Sequence, residues 1–194
     1  MTAEAPEFAA GRLRLRRLRL EDAPSFHQAF GDPASMRFWD APPTRDLGET
    51  EARIHHSVSA DPAIHAAFAV LAQDGGAFLG MVNYHARNPV HRRLGVGWIL
   101  VPRATGQGYM TEAMTALLTH CFGALETHRV EAETAPDNTR SQRLAERLGF
   151  RREGLLRDRL LVDDAPRSMW MYGLLAPEWH AVTSSATPVP GSAP

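Results

Sequence analysis

The chain has 194 residues, 44% apolar and 22% charged, which is typical of one soluble globular domain. Its formal net charge is −1 and all 21 basic residues are arginine, so the overall balance does not favour a polyanionic partner such as nucleic acid. A single cysteine excludes an internal disulfide, no apolar stretch is long enough to cross a membrane, and no secretory signal is visible. We therefore expect a cytoplasmic protein.

Both ends of the sequence have little to bury. Residues 1–10 are small and polar, and residues 181–194 are rich in Ser, Thr and Pro. We predict flexible tails over these two ranges around a single domain at 11–180.

The first strand is predicted from RLRLRRLRL, residues 12–20, where leucines alternate with arginines. The Arg16/Arg17 doublet shifts the alternation and indicates a bulge or a change of face. We interpret the five arginines as charged protection of an exposed strand rather than a nucleic-acid contact, because no aromatic stripe accompanies them.

Two helices follow in the pattern. Asp22 before Ala23 and Pro24 predicts an N-cap and a short first helix. A second helix is predicted at about residues 44–58, after the Pro42/Pro43 break.

The rest of the chain is mostly strands. AAFAVLA and FLGMVNYH, joined by QDGG, predict a hairpin. The remaining predicted elements are a strand at 94–101, a helix after Gly108, a strand at 129–134, a helix over SQRLAERLGF that ends at Gly149, and a final strand at 169–175. This order predicts an α/β or α+β fold, one sheet with helices on its faces.

The stretch VPRATGQGYMTEAM, residues 101–114, resembles a phosphate-binding loop. It is not a P-loop, because the chain has no lysine, and Thr111 fits a dinucleotide fingerprint poorly. Glycines before an amphipathic helix would bind a pyrophosphate through free backbone N–H groups and the helix dipole. A tight turn without any ligand carries about equal weight at this point.

Four blocks in the correct order resemble one family. RATGQG resembles the acetyl-CoA loop of GNAT-fold N-acetyltransferases, and GWILVPRATGQGYMTEAM resembles its RimJ/RimL branch, which acetylates protein N-terminal amines. RLRLRRLRLEDA, PDNTRSQRLAERLGFRREGLLRD and LLAPEW resemble further blocks of that branch. The likeness covers about residues 12–179.

The resemblance implies a mixed, mostly antiparallel sheet splayed at its centre, with helices on both faces. Pantetheine would lie along the strand 94–101, and pyrophosphate would meet the loop that follows. The implied coenzyme A contacts are Ile99, Leu100, Val101, Arg103, Gly106, Gln107, Gly108, Tyr109, Met110, Asn138 and Ser141. Ser141 would also protonate the departing thiolate, although a serine there is equally an ordinary N-cap.

The general base is not evident from the resemblance. Many relatives carry Glu where this chain has Gly95, and Asp where it has Ser168. Glu131 and Glu133 share one face of a strand, and we predict Glu133 as a base acting through water. His85, which ends the preceding strand, is the rival candidate.

Other residues that suggest chemistry have plainer interpretations. Cys121 lies on the apolar helix face, so we expect it to pack rather than to form an acyl-enzyme. His55 and His56 point about 100 degrees apart on a helix with no partner at ligand spacing, so we expect no metal. Phe38 and Trp39 have two possible roles: they line the acceptor pocket, or they only cover the core.

These expectations combine into one function. The sequence predicts an acetyl-CoA-dependent N-acetyltransferase that acts on a primary amine by direct attack, most like the RimJ/RimL ribosomal-protein enzymes. The alternatives are a small-molecule amine acetyltransferase, acting on an amino acid, polyamine or antibiotic, and a non-catalytic CoA-binding sensor. The resemblance also allows a homodimer.

Overall fold

The computed structural model describes residues 7–185 as eight strands and six helices. In chain order they are β1 Phe8–Ala10, β2 Leu13–Arg17, α1 Ala23–Phe30, α2 Pro33–Met36, α3 Leu47–Ser59, β3 Ala66–Ala72, β4 Phe78–Asn88, β5 Arg93–Leu100, α4 Tyr109–Phe122, β6 Arg129–Thr134, α5 Thr139–Arg147, β7 Arg151–Val162, β8 Ala165–Leu175 and α6 Ala176–Ser185. Single 3-10 turns precede α1 and follow β5.

All eight strands belong to one sheet, in the order β1-β2-β3-β4-β5-β6-β8-β7. Neighbouring strands are antiparallel except β5 and β6, which run parallel. Only four residue pairs join β5 to β6, the last of them Val96 with Ala132, although β5 continues to Leu100 and β6 to Thr134. The strands therefore diverge, and a gap opens in the middle of the sheet. The predicted mixed, mostly antiparallel sheet with a central splay is confirmed.

Helices cover both faces of the sheet. Side chains alternate along β3, so Phe68 and Leu71 point to opposite faces. Phe68 lies against His120 of α4, whereas Phe78, the β4 partner of Leu71, lies 5.8 Å from Phe26 of α1 between ring centroids. We call these surfaces the α4 face and the α1 face. Six of the seven β3 residues are buried, as expected for a strand covered on both sides.

The N-terminal predictions need three corrections. Residues 8–10, predicted as part of a tail, form β1 and pair with β2. The predicted bulge at Arg16/Arg17 is absent from the β2–β3 register, because the strand simply ends at Arg17. Finally, β2 lies between β1 and β3, so its arginines do not protect an edge.

The start of α1 shows why position alone does not define a cap. Asp22 precedes the helix as predicted, but its side chain makes no capping bond. Its carboxylate instead accepts two hydrogen bonds from the guanidinium of Arg16, at 2.7 and 2.8 Å, and a third from the backbone N–H of Arg19. An arginine provides a charge-assisted, bidentate partner, which a helix N–H does not.

The C-terminal third contains two elements that the sequence pattern did not reveal. β7 is mostly exposed and has two register irregularities against β8, so it lacks a clean alternation. α6 includes residues 181–185, which were predicted as tail, while 186–194 lie outside the described residues, as do 1–6. Between residues 7 and 185, none of the helices combines the length and apolar character that a membrane crossing requires.

Candidate active site at the gap between β5 and β6

The edge of β5 that faces the gap offers free backbone groups. The N–H of Val101 donates to the carbonyl of Leu79 at 2.9 Å, and its own carbonyl accepts from the N–H of Ala104 at 2.9 Å. Because residues of a strand alternate in the direction of their backbone groups, Ile99 also turns toward β4, whereas Trp98 and Leu100 turn toward the gap. The sequence predicts that the backbones of Ile99, Leu100 and Val101 face pantetheine; of these three only Leu100 turns toward the gap, and Trp98 turns the same way.

The loop after β5 presents a run of unused amides. Gly106 and Gly108 have φ values of +78° and +82°, which favour glycine, and α4 begins at the next residue. Within residues 7–185, the backbone N–H groups of residues 106–110 donate to no acceptor. Such amides at a helix N-terminus, together with the helix dipole, form an anion site of the kind that holds a pyrophosphate.

Two arginines brace this loop. Arg12, from the turn between β1 and β2, donates to the carbonyl of Gln107 at 2.9 Å, pairs with Glu112 and lies 4.6 Å over the Tyr109 ring. The guanidinium of Arg103 donates to the carbonyl of Phe78 at 3.0 Å. Both side chains therefore support the loop conformation; the charge of Arg12 is balanced by Glu112, whereas Arg103 adds positive charge near the amides.

Ser141 is not the N-cap of α5. The cap is Asn138, whose side-chain oxygen accepts from the Ser141 N–H at 3.1 Å. The Ser141 hydroxyl instead accepts from the indole N–H of Trp98 at 3.3 Å. Its own proton has no acceptor within the described residues, so the structure removes the capping interpretation and leaves a hydroxyl proton available beside the gap.

Both predicted carboxylates on β6 are held by arginines. Glu133 accepts from the Nε and Nη2 of Arg159 at 3.0 to 3.1 Å. Glu131 pairs with Arg129 and Arg93, at 2.8 and 3.4 Å. The two acids do share the α1 face. The role of Glu133 as a base stays a prediction, and its carboxylate is already engaged.

His85 lies directly across from Gly95, the position at which the family resemblance implies an acid. His85 and Gly95 are cross-strand partners in the β4–β5 hairpin, and Gly95 pairs onward with Glu131. A Cβ at position 95 would stand 2.5 Å from the Nε2 of His85. The imidazole is solvent accessible, yet the surrounding protein lowers the pKa of His85 by desolvation, against the opposing effect of Glu133, Asp40 and Glu131.

The comparison with protein families agrees with this geometry. The family model described as "Acetyltransferase (GNAT) domain" matches residues 12–151, well over half of the chain. The chain belongs to the GNAT acetyltransferase family. It is therefore an N-acetyltransferase, and enzymes of this family use acetyl-CoA as the acetyl donor.

Individual members of the GNAT family resemble the chain along much of its length. It is 28% identical to the uncharacterised N-acetyltransferase p20 of Bacillus licheniformis, over 87% of this chain and 95% of that protein. It is 32% identical to the [ribosomal protein uS5]-alanine N-acetyltransferase of Escherichia coli K12, over 58% of each. A crystal structure from T. thermophilus, whose acetyltransferase assignment is itself provisional, has a TM-score of 0.84 and 29% identity, with 95% and 97% of the two chains covered.

A cavity of about 370 Å³ lies beside the open end of β6 in this GNAT domain. Phe38 and Trp39 line it, together with residues 135–137, Leu160 and residues 167–169. The sequence left open whether the two aromatic residues wall a pocket or cover the core; they line the cavity, and Trp39 also packs against the core.

Charged groups fix the wall of this cavity. Arg167 donates to the carbonyls of Arg37 and Trp39, at 2.9 and 3.3 Å, and Arg37 pairs with Asp137 at 2.7 Å. Ser168, where the family resemblance implies Asp, accepts a hydrogen bond from the backbone N–H of Asp158 at 3.2 Å. The sequence did not identify Arg167 or Trp98 as site residues, because their partners are far away along the chain.

The remaining candidates do not join the site. Cys121 is fully buried among apolar residues, and desolvation raises the pKa of its thiol to about 12, so it packs as predicted. Within residues 7–185, no cluster of three His, Cys, Asp or Glu side chains is arranged to hold a metal ion.

Proposed function

We propose that this GNAT enzyme transfers the acetyl group of acetyl-CoA to the α-amine of a peptide or protein N-terminus, most like the RimJ/RimL ribosomal-protein acetyltransferases. The observation that carries the proposal is the charge of the 370 Å³ cavity at the end of β6. The similarity to an enzyme named for the alanine of a ribosomal protein supports the same acceptor class.

On the donor side, we propose that the amides of residues 106–110 hold the pyrophosphate and that Arg103 adds positive charge. Trp98 and Leu100 would bond to pantetheine as a partial strand, since β6 does not occupy that edge. Asn138 lies at the opposite side of the gap and positions Ser141 through its capping bond.

A thioester is already activated, so the protein needs no nucleophile of its own. It has to orient the amine, stabilise the oxyanion and exchange two protons. Ser141 is suited to protonate the departing thiolate, because the Trp98 indole occupies one lone pair of its oxygen and leaves the hydroxyl proton free. A backbone N–H facing the gap from β5 would stabilise the oxyanion.

The charges that line the cavity favour an acceptor with a single amine over an acceptor with several. The cavity is lined by two arginines, while its one carboxylate, Asp137, is paired with Arg37. A polyamine or an aminoglycoside carries several positive charges and would require several unpaired acids around it. A peptide N-terminus with a small apolar first residue needs only one amine position and the apolar wall that Phe38, Trp39 and Met169 provide.

The test is acetyl transfer to a panel of matched acceptors. The panel contains a peptide that starts with alanine, the same peptide blocked at its α-amine but carrying a lysine, spermidine, and an aminoglycoside. Free thiol release from acetyl-CoA and the mass of each product are measured together. We expect the alanine peptide to have a kcat/KM at least about 100-fold above the others, because polar mismatch in a built site discriminates strongly.

Two results would contradict the proposal. Preferred acetylation of spermidine or the aminoglycoside would show that the acceptor is a small-molecule amine. Tight CoA binding with no acceptor-dependent thiol release would favour the non-catalytic sensor. A cytoplasmic location, where acetyl-CoA and ribosomal proteins are found, belongs to the same proposal, and the homodimer stays a prediction.

A further inference from the structure

The α1 face of β4 and β5 contains a trough made by two glycines. Gly95 and Gly97 lack side chains. The side chains of their cross-strand partners on β4, His85 and Asn83 respectively, extend over the two glycines. A Cβ at 95 would meet the imidazole at 2.5 Å, and a Cβ at 97 would meet the Oδ1 of Asn83 at 2.6 Å. Within this trough, β5 leaves β6 immediately after Val96.

Both polar groups in the trough have unused hydrogen-bonding capacity. In the described part of the chain, neither ring nitrogen of His85 has a hydrogen-bond partner. The Oδ1 of Asn83 is buried and likewise has no donor. A buried acceptor without a donor is costly in a folded protein, so a ligand N–H at this position would be favourable.

His85 also has the properties of a proton acceptor at neutral pH. Its imidazole is accessible to a ligand, and desolvation lowers the pKa of His85, which keeps it neutral at pH 7. Glu133, by contrast, uses both carboxylate oxygens in its pair with Arg159. An acid held in that way is a weaker candidate for collecting a proton from a substrate.

We propose that His85 is the general base of the reaction, placed across from Gly95, and that Asn83 accepts a hydrogen bond from the same amine. This inference rests on the proposed function. The amine nitrogen forms a bond to the acetyl carbon, and the carbon–sulfur bond breaks. One amine proton passes to the free imidazole nitrogen of His85 and from there to water. The thiolate takes the hydroxyl proton of Ser141, and Ser141 recovers a proton from water.

The two catalytic groups approach the gap from opposite faces of the sheet. Asn83, His85 and Gly95 belong to the α1 face, whereas Trp98 and Ser141 belong to the α4 face by strand alternation and by their mutual hydrogen bond. An amine arriving from the α1 face would therefore meet an acetyl group held within the gap, with the leaving thiolate directed to the other side.

The charged groups around His85 determine the pH dependence. Glu131 and Glu133 face it from β6, Asp40 from the loop after α2, and His65 from the residue before β3. Since the pKa of His85 is lowered from about 6.5, kcat/KM should rise as the pH passes that lowered pKa and then level off. Removing His85 should remove this acidic limb.

The experiment compares His85→Ala, Gly95→Ala and the double variant His85→Ala/Gly95→Glu with the wild type. We expect His85→Ala to lower kcat/KM at least about 100-fold, to leave the Kd for CoA within about twofold, and to be partly rescued by added imidazole. Gly95→Ala should lower activity by displacing the ring. The kcat/KM of the double variant should be at least about tenfold higher than that of His85→Ala, because a carboxylate at position 95 reaches the space that the imidazole occupied.

Controls and outcomes separate this inference from the proposed function. His91→Ala, an exposed histidine in the β4–β5 turn, should leave activity unchanged. Asn83→Ala should raise the KM for the amine more than it lowers kcat. An active wild type with His85→Ala within about threefold of it and the same pH profile would overturn only the role of His85. A wild type that transfers acetyl to no amine would overturn both.

Discussion

The two sides of the gap are built in different ways. The donor side is local: five consecutive residues, 106–110, supply the free amides, and the glycines among them fix the backbone. The proposed acceptor side is assembled from distant segments: residues 37–39, 135–137 and 167–169 line one cavity, and His85 meets Gly95 through the β4–β5 register. Donor binding can therefore be disturbed by single backbone changes, whereas the chemistry depends on side chains held in register by other strands.

Among the proposed variants, Ser141→Ala should have the largest effect on catalysis relative to its effect on CoA binding. Without the hydroxyl proton, the thiolate departs unprotonated, and we expect kcat to fall about 100-fold while the Kd for CoA changes less than about twofold. Single-turnover kinetics and titration calorimetry measure the two quantities. As a graded control, Trp98→Phe keeps the hydroxyl and removes only its 3.3 Å partner, so its effect should be smaller. Equal losses in kcat and CoA affinity would contradict the role of Ser141 as the acid.

An intermediate effect is expected from the glycines of the phosphate loop. Gly106 and Gly75 have φ values of +78° and +74°, and neither has an atom within 4 Å of an added Cβ. Alanine at either position should reduce the free energy of unfolding by about 1 kcal/mol through backbone strain. Only Gly106→Ala should weaken CoA binding, by about tenfold, because Gly106 belongs to the proposed pyrophosphate site and Gly75 does not.

Gly75→Ala is the matched control for that comparison, since it lies in the β3–β4 turn away from the gap. Chemical denaturation gives the two stabilities and calorimetry gives the two affinities. If both variants bind CoA as the wild type does, the amides of the loop do not hold the cofactor.

The smallest effect is expected from Glu133→Gln. The pair with Arg159 is partly exposed, so its loss should change the free energy of unfolding by less than about 1 kcal/mol. If His85 is the base, kcat/KM should change by less than about threefold, far from the hundredfold or more that removal of a general base causes. A loss of hundredfold or more with an altered pH profile would return the base to Glu133.

The same contrast explains how much could be predicted from the sequence. β6 was predicted at its observed bounds, and the loop before α4 was recognised, because a strand alternation and a glycine spacing are visible within ten residues. β1 has only three residues and β7 is mostly exposed, so neither carries a clear pattern. The family resemblance indicated Asn138 and Ser141, but only the structure shows that the Asn138 side chain is the cap.

The acceptor side was harder to predict because it depends on register. Nothing in the local sequence shows that His85 faces Gly95, since this pairing is set by the hairpin centred on Val90. Once that hairpin is known, the pairing of His85 with Gly95 and of Asn83 with Gly97 follows together. The clamp of Arg167 on residues 37–39 joins segments that are 128 to 130 residues apart, and no spacing rule reaches that far.

The most direct test of the donor site is an amide NMR titration of the protein with CoA. We predict that the backbone resonances of residues 106–110, Trp98 and Leu100 shift or broaden most, because their N–H groups are free in the structure and form the proposed donor site. Resonances of the β7–β8 hairpin, away from the donor side, should stay in place. Saturable CoA binding that leaves residues 106–110 unperturbed, or that perturbs β7 and β8 instead, would contradict this prediction.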